Sequence, residues 1–470
     1  MGYDVKLVKG ETFETEIVSA AYEGVGVARI DDLVVFVRGG VPGDRVLARI
    51  RRLKRRYAEA TVEQVIEPSA QRVAPVCPHF LVCGGCAWQN ASYELQLQFK
   101  RDQVKELLSR IGGLQDLAVE PALPSPRQYH YRNKMEFTFA NRRWLTKEEI
   151  ATSEPAARHF ALGLHVPQRF DKVLDIDACY LAMPVSADIL NHVRILAQEK
   201  GWEPYDTIQH VGYLRNLVIR GSEHSQEILI NLVTSERCPE RMKLFTTEIA
   251  LRFPQVTSIV NSVNSSRSPV ASGEEEVCLG TGSLVEKIGH ITYLLEASTF
   301  FQPNTLQAER LYGVVRDFAQ LTGREKLLDL YCGIGGITLF LAGHVSQATG
   351  VENQKAAVEL ARRNAEMNLI RNCEFIESDA AGYLKEVAGE PVARPDVVTV
   401  DPPRVGMHPD LVHSLLRLNP PRIVYVSCNP ATQARDLAIL NKNYTVERVQ
   451  PVDMFPQTYH IENVVALRRR

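Results

Sequence analysis

Three groups of residues have the types and spacing for chemistry. Cys77, Cys83 and Cys86 place three thiols within ten residues, and Gly84 and Gly85 let the backbone fold around a small inorganic centre. Closing a tetrahedral site needs a fourth sulfur, for which Cys179 in Leu174-Asp-Ile-Asp-Ala-Cys-Tyr180 is the candidate. Zinc and an iron–sulfur cluster accept the same four thiolates, and the spacing does not choose between them. The second group is Asp329-Leu-Tyr-Cys-Gly-Ile-Gly-Gly336 with Glu352. Glycines at 333, 335 and 336 let the backbone turn sharply toward a ligand, and an acidic side chain about twenty residues on accepts hydrogen bonds from a ribose diol. Nicotinamide and flavin sites share this pattern, so it indicates a nucleotide-type cofactor without naming one. The third group is Cys428, in Ser427-Cys-Asn-Pro430, with Glu462: a thiol able to act as nucleophile and a carboxylate able to act as general base.

The second and third groups depend on where strands end. Leu327, Leu328 and Leu330 form a short apolar run before the glycines, the mark of a buried strand that turns into a helix. Strand and helix patterns then alternate, with strands expected at Ala348–Glu352, Cys373–Glu377, Val397–Asp401 and Arg422–Cys428 and a last pair near Tyr444–Val449 and Asn463–Leu467. Such alternation makes a parallel sheet with helices on both faces and a ligand crevice at the carboxyl ends of its strands. Asp401, Cys428 and Glu462 all fall at that edge. Cys428 could instead be a small buried hydrophobe, but a proline-bent loop at a strand end holds it toward the crevice.

Residues from about 10 to 68 alternate apolar and polar positions between glycine turns, which reads as a small OB-like β-barrel. Arg38, Arg45, Arg49, Arg51, Arg52, Lys54, Arg55 and Arg56 are opposed there only by Asp44, a basic face suited to RNA phosphates, with Tyr57 available to stack on a base. Tyr93–Leu108 reads as an amphipathic helix ending before Gly112 and Gly113. Tyr131 and Arg132 suit stacking on and pairing with RNA, against the alternative of a core tyrosine beside a surface arginine. Strand-like runs between about 135 and 295 and a helix near Met183–Lys200 suggest an α+β domain, within which 141–158 reads as an extended polar loop. The fold class expected is therefore multidomain α/β. Its parts are an OB-like barrel at 8–69, a central α+β domain at 70–298 bearing the cysteine site, and a Rossmann-like sheet at 299–470, on which helix 93–110 packs.

A chain of 470 residues is too long for one ordinary core. Its 54 Lys and Arg balance 56 Asp and Glu, so any nucleic-acid surface must come from local segregation of charge. There is no run of eighteen apolar residues and no apolar signal-peptide core, from which a soluble, cytoplasmic, monomeric protein without a membrane partner is expected. Nine cysteines, an odd number in a long intracellular chain, argue for ligand or catalytic roles over a disulfide framework.

Taken together, the motifs carry a family resemblance. Phe300-Phe-Gln-Pro-Asn-Thr-Leu-Gln-Ala-Glu309, Asp329-Leu-Tyr-Cys-Gly-Ile-Gly-Gly336, Asp401-Pro-Pro-Arg404, Ser427-Cys-Asn-Pro430 and His460-Ile-Glu-Asn-Val464 resemble the RNA 5-methyluridine methyltransferases that use S-adenosylmethionine. The resemblance implies that the barrel is an RNA-binding TRAM domain. It also implies that Cys77, Cys83, Cys86 and Cys179 hold a [4Fe–4S] cluster, as in the ribosomal-RNA members. Gln302, Tyr331, Glu352 and Asp401 would contact the methyl donor, Asp379 its adenine, with Cys428 the nucleophile and Glu462 the base. Gly336 departs from the pattern, since some members carry there a side chain that helps hold the cofactor. The implied activity is methylation of uridine carbon 5 in 23S ribosomal RNA. The alternatives are a transfer-RNA substrate, or a non-catalytic RNA-binding or ribosome-assembly factor, which would need neither Cys428 nor Glu462. N6-adenine methylation is disfavoured because Arg404 follows Asp401-Pro-Pro where an adenine-stacking aromatic residue is normal. The chemistry of uracil agrees: carbon 5 becomes nucleophilic only after a thiolate adds at carbon 6, and a base must then remove the carbon-5 proton. The base must also leave its RNA stack to reach the crevice.

Overall fold

The computed structural model describes residues 8–146, 149–150, 159–167, 169–387 and 394–470. The first unit is a six-stranded sheet ordered Thr12–Glu16, Arg45–Leu53, Tyr57–Glu67, Leu33–Arg38, Gly26–Ile30, Ser19–Ala20. Its first segment pairs with Arg45–Leu53 at its start and with Gly26–Ile30 at its end, where Val18 N donates to Val27 O at 2.8 Å. The sheet thus curls back on itself around Ile17, Val35, Val37, Val46 and Ile50.

The continuous basic face expected here is interrupted. Arg45 pairs with Glu14 and Glu67, Arg49 and Arg51 with Glu63, and Arg52 with Glu59, glutamates that neighbouring strands bring alongside. Asp44 is buried and paired with Arg72 at 2.6 Å, so it opposes none of them. Lys54, Arg55 and Arg56, exposed at the hairpin tip, have no ion pair among the described residues. Tyr57 packs edge-on against Phe36.

The central unit is an eight-stranded sheet ordered Glu274–Leu279, Val256–Val263, Ile228–Thr234, Leu214–Gly221, Lys134–Ala140, Ala161–Val166, Arg169–Asp175, Arg143–Trp144. Helices Val185–Glu199 and Pro239–Arg252 close its core through Ile189, Val193, Phe245 and Ile249. Sequence patterning misses Pro239–Arg252 and the hairpin Ser283–Ile288 with Ile291–Glu296. Of the polar loop expected at 141–158, Arg143 and Trp144 form an edge strand beside Val173 and Leu174, while 147–148 and 151–158 lie outside the described residues.

The last unit is a seven-stranded sheet ordered Cys373–Glu377, Gln347–Glu352, Lys326–Leu330, Val397–Val400, Arg422–Ser427, Glu462–Arg469, Tyr444–Val452. Five strands run parallel, as alternation predicts, but the last two are antiparallel to their neighbours. The difference has a geometric use: a strand that runs backwards starts at the edge where the others finish. Glu462 therefore opens its strand at the crevice.

Helix Tyr93–Arg110, capped by Ser92 (Oγ accepting from Leu95 N at 3.3 Å), packs on this sheet's helices. Val104 and Leu108 join the buried cluster of Leu411, Tyr425 and Leu437. The rest of its buried face is polar: Gln96, Lys100 and Gln103. Lys100 Nζ lies 2.5 Å from Asp453 Oδ1, both fully buried, and Tyr93 Oη donates to the other Asp453 oxygen at 2.8 Å. Removing one partner of such a pair costs on the order of 3–5 kcal/mol, because the other charge is left desolvated.

Candidate active site

Register alone brings the candidate residues together. Leu330 pairs with Val351 and Val400, so Tyr331, Glu352 and Asp401 follow adjacent strand ends. Ser427 pairs with Asn463 antiparallel, which makes Cys428 and Glu462 the next facing positions. Gln433 locks that juxtaposition: its Nε2 donates to Tyr425 O and Asn463 O, and its Oε1 accepts from Asn463 Nδ2. Asn429 caps the helix Pro430–Leu440 by accepting from Ala431 N at 3.1 Å, and donates to Arg404 O at 3.0 Å.

The glycine turn is strained and open. Tyr331 has φ +65°, a conformation costing a non-glycine residue about 1–3 kcal/mol. Gly333 (φ +54°) has nothing where a side chain would stand, which leaves room for a ligand at the backbone. Glu352 Oε2 accepts from Gly333 N at 3.2 Å, tying the turn to the second strand. At Gly336 a Cβ would lie 2.6 Å from Tyr312 Oη, so a buried phenol occupies the space a side chain would need. Asp379 accepts from Gly382 N at 2.8 Å, and its charge acts on Tyr331. Gln302 is buried in the segment that ends at the cap Asn304, its carbonyl held by Asn133 Nδ2 at 2.9 Å.

The electrostatics are those of a carboxylate cluster. Burial, with Asp329 nearby, pushes the Asp401 carboxyl up to about 7, and burial beside Asp401 raises Glu462 well above the ordinary range. Burial, Glu462 and Asp401 push the Cys428 thiol up to about 12. Low dielectric and like charges both disfavour the anion, so these neighbours oppose the thiolate character expected of a nucleophile. Arg404 offsets this by lowering both Cys428 and Glu462, and it also acts on His460 and Tyr22. Sequence reasoning uses Arg404 only to set aside adenine methylation and gives it no role at the site, although its place three residues after Asp401 was the signal; Tyr312 escapes it altogether.

A direct expectation follows for Arg404→Gln. Thiolate fraction falls tenfold for each unit by which the thiol rises, and removing the cation moves it up. Alkylation of Cys428 by iodoacetamide at pH 8–10, followed by mass spectrometry, should slow by roughly tenfold and its titration should shift alkaline. An unchanged titration would show that Arg404 does not act on the sulfur.

Two further features border the site. Tyr131 is buried, its hydroxyl donating to Pro456 O at 3.0 Å; it is a core residue, and the expectation that it stacks on RNA is overturned. Arg132 lies over the Phe455 ring and lines a cavity of about 1200 Å³. Cys77, Cys83, Cys86 and Cys179 line the same cavity, and Cys179 lies near enough to raise the other three thiols. Gly85 N donates to Cys83 Sγ at 3.3 Å, the kind of contact that supports a thiolate ligand. Four thiols are the donor type that zinc or an iron–sulfur centre takes, but among the described residues no group of three or more His, Cys, Asp or Glu is placed to hold a metal ion. No helix among the described residues is long and apolar enough to cross a membrane.

Comparison with known proteins bears on the family. The family model described as tRNA (Uracil-5-)-methyltransferase matches residues 274–470, and the TRAM domain model matches 6–62. The chain is 42% identical to an uncharacterized RNA methyltransferase of Chlorobaculum tepidum, over 99% of this chain and 98% of that protein. It is 41% identical to one from Bacteroides thetaiotaomicron, over 96% of this chain and all of the other. Among solved structures, tRNA (uracil-54, C5)-methyltransferase of Pyrococcus abyssi in complex with S-adenosyl-L-homocysteine superposes with a TM-score of 0.75 at 29% identity, covering 97% of this chain and 100% of that one.

Proposed function

The chain belongs to the S-adenosylmethionine-dependent RNA uracil-5-methyltransferases that carry a TRAM domain, and from that premise we propose that it methylates carbon 5 of a uridine in 23S ribosomal RNA. The observation that carries the reaction is the facing of Cys428 and Glu462 across adjacent strands at the mouth of a glycine turn. In this reading Gln302, Tyr331, Glu352, Asp379 and Asp401 bind the donor, which supplies an electrophilic methyl group. Cys428 Sγ adds to carbon 6 of the uracil, and the electron pair that it displaces makes carbon 5 nucleophilic. Once carbon 5 carries the methyl group, Glu462 takes the carbon-5 proton, the ring double bond re-forms, and the carbon–sulfur bond breaks to release Cys428. Arg404 favours the ionised forms that both steps need.

The proposal divides the chain at 8–69, 70–298 and 299–470, as a cytoplasmic monomer. Lys54, Arg55 and Arg56 meet RNA phosphates from the barrel. Cys77, Cys83, Cys86 and Cys179 hold a [4Fe–4S] cluster, with zinc the alternative occupant. The cluster thiols together with the TRAM domain favour ribosomal RNA. A transfer-RNA substrate is the second reading, favoured by the superposition on the Pyrococcus enzyme.

Mapping of 5-methyluridine in ribosomal and transfer RNA from cells lacking the gene separates them. Loss of one 23S position, restored by the intact gene, is expected. Loss from transfer RNA alone moves the assignment to the second reading, and loss from neither overturns both.

A further inference from the structure

The loop that delivers Glu462 is held mainly from outside its own sheet. Gln457 O accepts from Ala87 N at 2.9 Å and Trp88 N at 3.1 Å, the two residues that follow Cys86. The Gln457 side chain and backbone pair with Gln96 in both directions: Gln96 Nε2 donates to Gln457 Oε1, and Gln457 N donates to Gln96 Oε1, each at 3.0 Å. Gln96 Nε2 also reaches Trp88 O at 3.1 Å and Ala91 O at 3.0 Å. On the other flank of the cysteines, Cys77 N donates to Gln89 Oε1 at 3.0 Å.

These are not surface contacts. Gln96 and Gln457 are 1% and 2% exposed, so each unmade bond would leave a desolvated amide. Gln457 also has φ +69°, a left-handed conformation uncommon for a residue with a side chain. Upstream, Asp453 is fixed by Lys100 and Tyr93 of the same helix that carries Gln96. Leu123, Tyr131 and Asn304 hold Asp453, Pro456 and Met454, while residues 87–100 hold both faces of Gln457 and the side chain of Asp453, and Glu462 closes the segment.

We propose that Gln96 and Gln457 are positioning residues that couple the cysteine loop to the base, so that the group held by Cys77, Cys83, Cys86 and Cys179 sets the placement of Glu462. This rests on the roles proposed above for Cys428 and Glu462. Cys428 adds to carbon 6 as the thiolate that Arg404 favours, its proton having passed to water beforehand, so that step needs no base placed by this loop, whereas elimination does. Loosening the clamp therefore blocks the reaction after methylation: the carbon-5 proton stays, the carbon–sulfur bond persists, and enzyme remains joined to RNA. A residue that merely stabilised the fold would lower turnover without building up that adduct.

The test uses the full-length, anaerobically purified protein with radiolabelled substrate RNA and S-adenosylmethionine. Gln96→Met keeps the side-chain volume and removes both arms of the pair. Expected are unchanged iron content and donor affinity, turnover at least tenfold slower, and a denaturant-resistant, methylated RNA adduct on gels. Cys83→Ser should lose iron and colour and accumulate the same adduct, and the double variant Cys83→Ser with Gln96→Met should be no slower than the slower single one, since both act through one link. Slower turnover without adduct in Gln96→Met, or effects of the two substitutions that multiply, would overturn the coupling. The control is Glu462→Gln: if it leaves no adduct, the assigned base fails and the coupling falls with it; if it does and Gln96→Met does not, only the coupling fails.

Discussion

Cys428→Ala is expected to abolish methyl transfer, lowering turnover by at least about 10⁴-fold, the scale on which removal of a covalent nucleophile acts. The size of the effect follows from uracil itself, whose carbon 5 is too weak a nucleophile without addition at carbon 6. Donor binding should survive nearly intact, because the turn at Tyr331–Gly336 and Glu352 lies on other strands of the sheet. The fold should survive as well: the side chain is only partly buried, and Asn429 keeps the cap of the following helix. Methyl incorporation into RNA measured beside donor binding by calorimetry distinguishes the two effects. Turnover at the wild-type rate would mean another nucleophile or another reaction.

Glu462→Gln should stop the cycle one step later, trapping enzyme on methylated RNA and leaving turnover at no more than about a thousandth of wild type, the range over which a positioned base contributes. The same substitution should stabilise the free protein at neutral pH. A carboxyl whose folded-state pKa is raised binds a proton more tightly when folded, so it loses stability as pH rises from the unfolded value toward the folded one. Glu462 and Asp401 both lie on that side, each raised chiefly by burial. The neutral amide removes one member of the cluster, so the variant should melt above wild type at pH 7–8 and close to it near pH 4. Equal melting temperatures across that range would show that the carboxyl has the same pKa folded and unfolded, and that burial does not raise it.

Much of the catalytic sheet was legible because its logic is local. An apolar run, three glycines and a proline-bent Ser427-Cys428-Asn429 loop each announce a strand end, and strand ends meet at one edge. What was not legible depends on partners distant in sequence. The arginines of the barrel read as a free basic face, yet Glu14, Glu59, Glu63 and Glu67 answer most of them from neighbouring strands. Tyr131 has the composition of an RNA-stacking residue until Pro456 claims its hydroxyl. Gln96 and Lys100 are polar residues on a helix, which ordinarily means solvent. Here they form the buried face, because the surface they meet is a polar loop made at the other end of the chain. The antiparallel final pair was hidden for a similar reason: short strands carry no mark of their direction.

That last contact has a consequence for how the protein is born. Lys100 and Asp453 are separated by 353 positions in the chain. At a translation rate of roughly 5–20 residues per second, a ribosome would finish the first about 20–70 s before it reaches the second. For most of that interval Val104 and Leu108 lack the surface of Leu411, Tyr425 and Leu437 on which they dock. The nascent amino-terminal half must wait, with a sticky helix uncovered, for its carboxyl-terminal counterpart, which makes this segment a natural client for a chaperone and the seam along which truncated chains should aggregate.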